Sequence, residues 1–405
     1  MRVAVLGGGL QGACIALELA ANGIAVDLYE KNDRCLSQAS AHNEGKIHLG
    51  YVYANDPTMQ TARLMARGAL HFTSLMRRWI GDAIDAIPIS DPFYYVVHRQ
   101  SMLGVAEIEN HLRATHDIIR DESRDFSMDY FGGDLRDGPI RISDRECELL
   151  FSRQTVAAAF RTPEVGIDSK VFADVVRARL SSEQKVCCRL QTSVRSVQLT
   201  NRHATVAFES GGEKVREAYD HVVNALWDGR LAIDKTAGFE PPRPWLYRVK
   251  HFLRMKPSGN GSLPTITIVL GPFGDIVTYN NGDVFLSWYP AGLKGLSAEL
   301  SPPAWPLALD RQATCEVRDG ILSGLAAIAP AVARFTPEAL ASCEMNAGVI
   351  FAWGSTDIPD RASGLHARRA IGPQSHGRYH SVDTGKLTMA PYFAKMVADQ
   401  IMQSE

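Results

Sequence analysis

The chain has no cysteine pairing pattern. Its seven cysteines, an odd number that includes the adjacent Cys187 and Cys188, show no CxxC spacing and no even framework. That excludes a disulfide scaffold, gives no zinc signature, and reads as reduced thiols of a cytosolic protein. Charge of one sign is lacking too: 43 Lys plus Arg stand against 45 Asp plus Glu, a formal charge of −2, with no basic run. Nucleic acid is therefore not an expected partner. Long hydrophobic runs are missing. The most apolar stretch, Ile321 to Phe335, is interrupted by Ser323, Pro330 and Arg334 and falls short of the ~20 residues of a spanning helix. No integral membrane segment is expected, while peripheral contact with a membrane stays open. There is no internal repeat or low-complexity segment. Arg2-Val3-Ala4-Val5-Leu6 already reads as a buried strand, which leaves no room for a signal peptide.

What is present is an ordinary globular composition, 45% apolar and 22% charged over 405 residues, long enough for two or three domains with sizeable cores. Val3 to Leu6 predicts a strand, Ala13 to Asn22 a helix stopped at Gly23, and Ile24 to Glu30 a second strand. This is a βαβ unit, hence an α/β opening with a parallel sheet. Val171 to Leu180 has helical spacing. Val186 to Leu190, Val194 to Leu199 and Ala204 to Phe208 alternate like three antiparallel strands, and Tyr219 to Ala225 reads as a buried strand returning to the parallel sheet. After the break at Glu240-Pro241-Pro242-Arg243-Pro244, strands are predicted at Thr265 to Leu270, Asp275 to Asn280 and Asp283 to Tyr289. The last two are joined through Asn281-Gly282, a hairpin signal. Helices are expected from about Arg311 to Ala329 and from Leu387 to Met402.

Gly7-Gly8-Gly9-Leu10-Gln11-Gly12 fits GxGxxG. Gly7 serves a tight turn, Gly9 the close approach of backbone to a pyrophosphate, and Gly12 close contact of helix and strand. The helix N-terminus then faces the phosphates and stabilises them without a basic side chain. Glu30, at the end of the second strand, can accept hydrogen bonds from ribose hydroxyls and would repel a 2′-phosphate; Lys31 beside it joins the same binding set. The alternative, an ordinary glycine turn, lacks the agreement of strand, helix, second strand and terminal acid.

Ser37 to Gly50, with its core His42-Asn43-Glu44-Gly45-Lys46-Ile47-His48-Leu49-Gly50 followed by Tyr51 and Tyr53, resembles the flavin-side segment of the D-amino acid oxidase (DAO) superfamily of FAD-dependent oxidoreductases. It looks most like that of the L-2-hydroxyglutarate oxidases and dehydrogenases. Gly385-Lys386-Leu387-Thr388 is similar to a stretch of FAD-dependent glycerol-3-phosphate dehydrogenases. Gly166-Ile167-Asp168, Thr192-Ser193-Val194 and Val222-Val223-Asn224-Ala225 follow the superfamily's order, so the likeness covers most of the chain. It departs at Leu226 and Trp227, where the family usually has a small residue and glycine. The resemblance implies FAD as cofactor, bound by Gly7, Gly9, Gly12, Glu30, Lys31, His42, Asn43, Gly45, Val194, Gly385, Lys386, Leu387 and Thr388. It implies a Rossmann-like FAD-binding domain assembled from 1–90, 145–240 and 340–405. A mainly antiparallel substrate domain is expected from 91–144 and 241–339.

For chemistry, the resemblance implies removal of hydride from a carbon bearing a hydroxyl, as in a 2-hydroxy acid, or from an amine, with electrons passed to oxygen or another acceptor. The substrate is expected to be small and polar. Among the candidates His48 suits a general base, because alcohol oxidation requires loss of an O–H proton whereas amine oxidation does not. The bland alternative is that His42 and His48 only bond loop carbonyls; no matching acid cluster marks them as metal ligands. Lys386, or the helix N-terminus that follows it, would stabilise an anionic reduced flavin, unless it is a solvated helix-start residue. Arg254 could clamp a carboxylate and Tyr289 orient it; Arg254 on the surface and Trp288–Tyr289 in the core are the competing readings. His376, Arg378, Tyr379 and His380 are expected either at the pocket mouth or in a solvated loop. Two other functions stand against the leading one. An aromatic hydroxylase would need a late Gly-Asp-Ala motif that is not found, and a non-catalytic nucleotide-binding module would carry no flavin absorbance.

Overall fold

Strand β1 (Arg2–Leu6) is apolar and buried from Val3 onward, and it ends at Gly7, whose φ of +102° only glycine adopts readily. A Cβ there would come within 2.7 Å of the Ala225 carbonyl oxygen. The chain turns into helix α1 (Leu10–Ala21), buried from Leu10 to Ala20, which accounts for its Ala- and Leu-rich composition. It returns as β2 (Ala25–Tyr29), paired in parallel with β1 from Arg2–Ala25 to Leu6–Tyr29. The computed structural model describes residues 1–125, 127–256 and 263–404.

Around this unit stands a six-stranded sheet. His221–Asn224 pairs in parallel with the free side of β1, Tyr379–Asp383 pairs in parallel with His221–Asn224, and Gly372–His376 closes that edge antiparallel. The other edge is Val186–Arg189, parallel to β2. This corrects the expectation that Val186 to Leu190 opens an antiparallel meander. Helix Ser169–Ser182 precedes it by three residues, so the chain re-enters the sheet in the direction a helical crossover imposes. The meander is Thr192–Leu199, Ala204–Ser210 and Glu213–Tyr219. Its last strand lacked a sequence signal because its solvent face is Lys214, Arg216 and Ala218 while Glu213 and Glu217 interrupt the apolar run on the other face.

The second sheet has nine strands among the described residues. Its spine is Trp245–Met255, paired along one edge with Glu344–Trp353, in register from Trp245–Trp353 to Arg254–Glu344. Its other edge is shared by Leu293–Ser297 and Val284–Trp288. The hairpin through Asn281-Gly282 forms, with Gly282 at φ +85°. Pairing is antiparallel except between Ile266–Ile268 and Tyr94–His98. Helix Arg311–Ala326 covers this sheet with Val317, Ile321 and Leu325. Two strands within stretches expected on the nucleotide side, Val156–Arg161 and Glu344–Trp353, belong to this sheet.

The sheets are tied where they meet: Lys46 bridges to Gly166, Ile89 to Ile167, and Ser90 to Tyr279. The crevice between them opens at the carboxyl ends of the parallel strands, the usual ligand position in open α/β sheets. No helix among the described residues is long and apolar enough to cross a membrane.

Candidate functional site

A cavity of about 630 Å³ runs along this crevice, from Gly7, Gly9 and Glu30 at one end to His48, Tyr289 and Lys386 between the sheets. That volume lies within the ~300–1,000 Å³ typical of ligand pockets.

At the glycine-turn end, Gly12 belongs to the scaffold rather than the wall, since a Cβ there would stand 1.9 Å from the Gly7 carbonyl oxygen. Gly9 differs. The nearest atom to its Cβ would be Ser40 Oγ at 3.4 Å, so the protein itself leaves room for a side chain, and only a ligand against the helix N-terminus would need the space. Helix α1 has no side-chain cap, although Leu10 N–H is taken by Ser40 Oγ at 2.8 Å. Glu30 is buried and preorganised. Its Oε2 accepts from Gly8 N–H at 3.0 Å and its Oε1 from the Asn32 backbone and side chain at 2.9 and 2.6 Å. Lys31, 3.7 Å from Asp228, and Val194 line the same end.

The 42–48 segment is held by a second set of backbone contacts. Asn43 donates to the Ala39 and Ser40 carbonyls and accepts from Gly45 N–H at 2.7 Å. Gly45, at φ +65°, crosses Gly166-Ile167 so closely that a Cβ would lie 1.7 Å from the Ile167 carbonyl oxygen. Asp168 caps the following helix, accepting from Lys170 and Val171 N–H, and Ser169 Oγ donates to the Ala41 and Asn43 carbonyls. Thr388 closes the arrangement, accepting from His48 N–H at 2.9 Å and donating to the Lys46 carbonyl at 3.2 Å. Gly45 and Thr388 thus shape the wall; His42, Asn43, His48, Gly385, Lys386 and Leu387 line it. Gly385, at φ +61°, donates its N–H to Asp383 Oδ1 at 3.0 Å.

His48 is buried, its Nδ1 lacks a hydrogen-bond partner, and that atom lies 3.9 Å from Glu164 Oε1. Burial holds its pKa well below the ordinary value, and Lys386, Lys46 and Arg368 push it in the same direction, so the imidazole is neutral at physiological pH. Glu164 is fully buried, accepts from Leu49 N–H at 2.6 Å and from the Tyr95 hydroxyl, and is raised by burial to about 7. Lys386 is half-buried, and desolvation by the surrounding protein lowers it to about 8.

Several candidates require correction. Arg254 does not line the cavity; its guanidinium pairs with Asp168 at 2.7 Å, beneath the 42–48 segment. Its strand places Arg248, Lys250, Phe252 and Arg254 on one face, and the cavity takes the first three. Arg254 lies past its end. Tyr289 does line the cavity but begins a short helical turn rather than lying on a strand, and Lys250 Nζ stands 4.5 Å from its ring centroid. Trp288 instead packs against helix Arg311–Ala326 at Gly324. His376, Arg378, Tyr379 and His380 are absent from the cavity wall. They lie at the hairpin that starts Tyr379–Asp383, at the opposite end of that strand from the crevice. Trp227 occupies φ +55° where the family pattern has glycine, and its Nε1 donates to the Val349 carbonyl at 2.8 Å. That contact ties the loop after His221–Asn224 to the second sheet.

Sequence reasoning missed Glu164, Arg248, Lys250 and Arg368. Arg248 and Lys250 had a readable signal in the period-two alternation with Arg254; Glu164 and Arg368 had none, because only folding brings them to the segment.

The chain belongs to a family described as FAD dependent oxidoreductase (DAO), whose model matches residues 2–400. It is similar to the FAD-dependent monooxygenase FPY4 of Fusarium mangiferae, 34% identical over 89 residues, a match spanning 22% of this chain and 24% of that protein. In fold it is similar to glycine oxidase of Geobacillus kaustophilus (TM-score 0.70, 14% identity, covering 100% of this chain and 95% of that one). It also resembles the L-alpha-glycerophosphate oxidase of Mycoplasma pneumoniae with FAD bound (TM-score 0.66, 14% identity, 99% and 94%). FAD is thus the cofactor, and the open Gly9 at an uncapped helix N-terminus with a preorganised Glu30 fits its ADP half.

Proposed function

We propose that this FAD-dependent oxidoreductase removes hydride from a C–H that carries a hydroxyl in a small polar substrate such as a 2-hydroxy acid, yielding the carbonyl compound. The ADP half of FAD is assigned to Gly7, Gly9 and Glu30, with Lys31 and Val194 alongside. Its isoalloxazine is assigned to the walls built by 42–48 and 385–388, with the substrate between them and the second sheet. FAD, when bound, accepts the hydride; oxygen or another acceptor later takes the electrons.

The observation that carries the proposal is the neutral, buried His48 on a cavity wall that also carries Lys46, Arg248, Lys250, Arg368 and Lys386, with its Nδ1 turned to Glu164. The O–H proton of an alcohol must leave as the hydride does, and a neutral imidazole is the group present to take it. Glu164, 3.9 Å behind it, stabilises the resulting imidazolium in its ionised form. Tyr289 orients the polar end of the substrate. The cations that add to burial in keeping His48 neutral also oppose an ammonium substrate, which favours a hydroxyl over an amine as the reacting group.

The test is the visible spectrum of the purified protein, followed by anaerobic bleaching with hydroxy acids, amino acids and amines. Bleaching by a hydroxy acid is expected. His48→Asn is expected to slow that reduction by ~10²–10⁴ in stopped flow at saturating substrate, the range for lost general acid–base catalysis. Reduction by amines alone, at a rate His48→Asn leaves unchanged, would refute it.

A further inference from the structure

Two thiols meet beside the glycine turn without lining the cavity. Cys35 is buried, and its Sγ would stand 2.8 Å from a Cβ at Gly8, where the side chain of Glu30 also packs. Cys188 lies on the edge strand Val186–Arg189, opposite Leu28 of β2. Alternation along that strand turns Val186 and Cys188 to the core that holds Cys35, and sends Cys187 to the other face. The Cys35 and Cys188 thiols hydrogen-bond to each other, far apart though they are in the chain. Cys188 is half-buried and reachable from solvent, whereas Cys35 is enclosed. The hydrogen bond from Cys35 lowers the Cys188 thiol, while the same bond, and burial after it, raises Cys35. Burial instead raises Cys14, Cys147 and Cys343, which keeps them unreactive thiols.

An accessible cysteine with a second thiol already against it is the arrangement in which oxidation ends at a disulfide rather than at higher oxides. We propose that Cys188 and Cys35 form a reversible disulfide with hydrogen peroxide as oxidant, and that this bond clasps the 31–36 segment onto the FAD site. The Cys188 thiolate attacks one peroxide oxygen. An S–O bond forms, the O–O bond breaks, and the released hydroxide takes up the proton Cys188 gave, leaving as water and the sulfur as a sulfenic acid. The Cys35 sulfur then attacks that sulfur: S–S forms, S–O breaks, and hydroxide leaves with the Cys35 proton as a second water. The segment so tied borders the cofactor. Lys31, Asn32 and Leu36 line the glycine-turn end of the cavity. Leu36 N–H donates to the Gly8 carbonyl at 2.8 Å, and Arg177 Nη1 to the Cys35 carbonyl at 3.2 Å. A bond from Cys35 to the sheet edge removes the open states of this segment before FAD binds, so FAD and the disulfide each favour the other. The clasp rests on the placement of the ADP half at Gly9 and Glu30; the disulfide itself does not.

The test treats the holoprotein with hydrogen peroxide, alkylates the remaining thiols and maps peptides without reduction. A peptide joining Cys35 to Cys188, lost on treatment with dithiothreitol, is expected in the wild type and in Cys187→Ser. Cys188→Ser should abolish it. Cys35→Ser should instead leave a sulfenic acid on Cys188 that dimedone traps; if that variant does not fold, the wild-type map decides alone. No linked peptide, or one that contains Cys187 in place of Cys188, would overturn the proposal. Flavin fluorescence on serial dilution then compares the oxidised protein with the same protein after dithiothreitol. FAD is expected to bind the oxidised form about 5-fold tighter or more, the lower range for two coupled sites. Equal affinities would overturn the clasp and leave the disulfide standing. A protein that holds no flavin would overturn the FAD placement, and with it the clasp, but not a mapped bond between Cys35 and Cys188.

Discussion

Replacing Glu164 by Gln should change the pH dependence of stability in a direction opposite to that expected for an acid paired in its ionised form. Glu164 is fully buried behind His48, and burial raises its carboxyl from 4.5 to about 7. Between those values the native protein keeps a proton that the unfolded chain has lost, so unfolding releases a proton and native stability falls as pH rises. Above pH 7 both states are ionised and the penalty is complete. A pKa difference of this size corresponds to about 3 kcal/mol. Gln stays neutral throughout, keeps its carbonyl oxygen as acceptor for Leu49 N–H and offers an NH2 donor to the Tyr95 hydroxyl, which must turn to accept it, so it avoids the penalty at a cost of about 1 kcal/mol in hydrogen bonding. Glu164→Gln should therefore be near neutral or slightly destabilising at pH 5 and stabilising by about 2 kcal/mol at pH 8. Urea unfolding of both proteins at the two pH values, at one fixed FAD concentration, measures it. His48 titrates in the contrary sense in both proteins, and its contribution largely cancels in the difference. A stability difference that does not change between pH 5 and pH 8 would refute a buried, proton-retaining Glu164.

Two further substitutions separate scaffold from site. Arg254→Gln leaves Asp168 without its 2.7 Å guanidinium partner, so unfolding free energy should fall by about 3–5 kcal/mol while flavin reduction per folded holoprotein changes little; a large loss of rate with unchanged stability would return Arg254 to the substrate. Gly9→Val should give a folded protein by circular dichroism with little bound FAD, because its Cβ has room in the protein but not beside a pyrophosphate, whereas Gly12→Ala, 1.9 Å from the Gly7 carbonyl oxygen, should lower thermal stability as well. Flavin absorbance per folded protein distinguishes the two.

The dinucleotide half of this protein was legible because its determinants are local in the chain. The glycine turn, α1, β2 and Glu30 lie within thirty residues, and their apolar periodicity and turn chemistry act before any distant contact forms. Ordered motifs carried the family resemblance for the same reason. The substrate side was decided by pairing across long separations. Whether Arg254 or Lys250 meets the cavity depends on where Trp245–Met255 stops against the crevice, a matter of register with Glu344–Trp353 some hundred residues on. Glu164 became a partner of His48 only when Gly45 crossed Gly166-Ile167, and Arg368 reached the wall from a loop with no pattern of its own. Alternation along a strand identifies a face; only the packed sheets determine which part of that face borders a ligand and which part pairs with the protein.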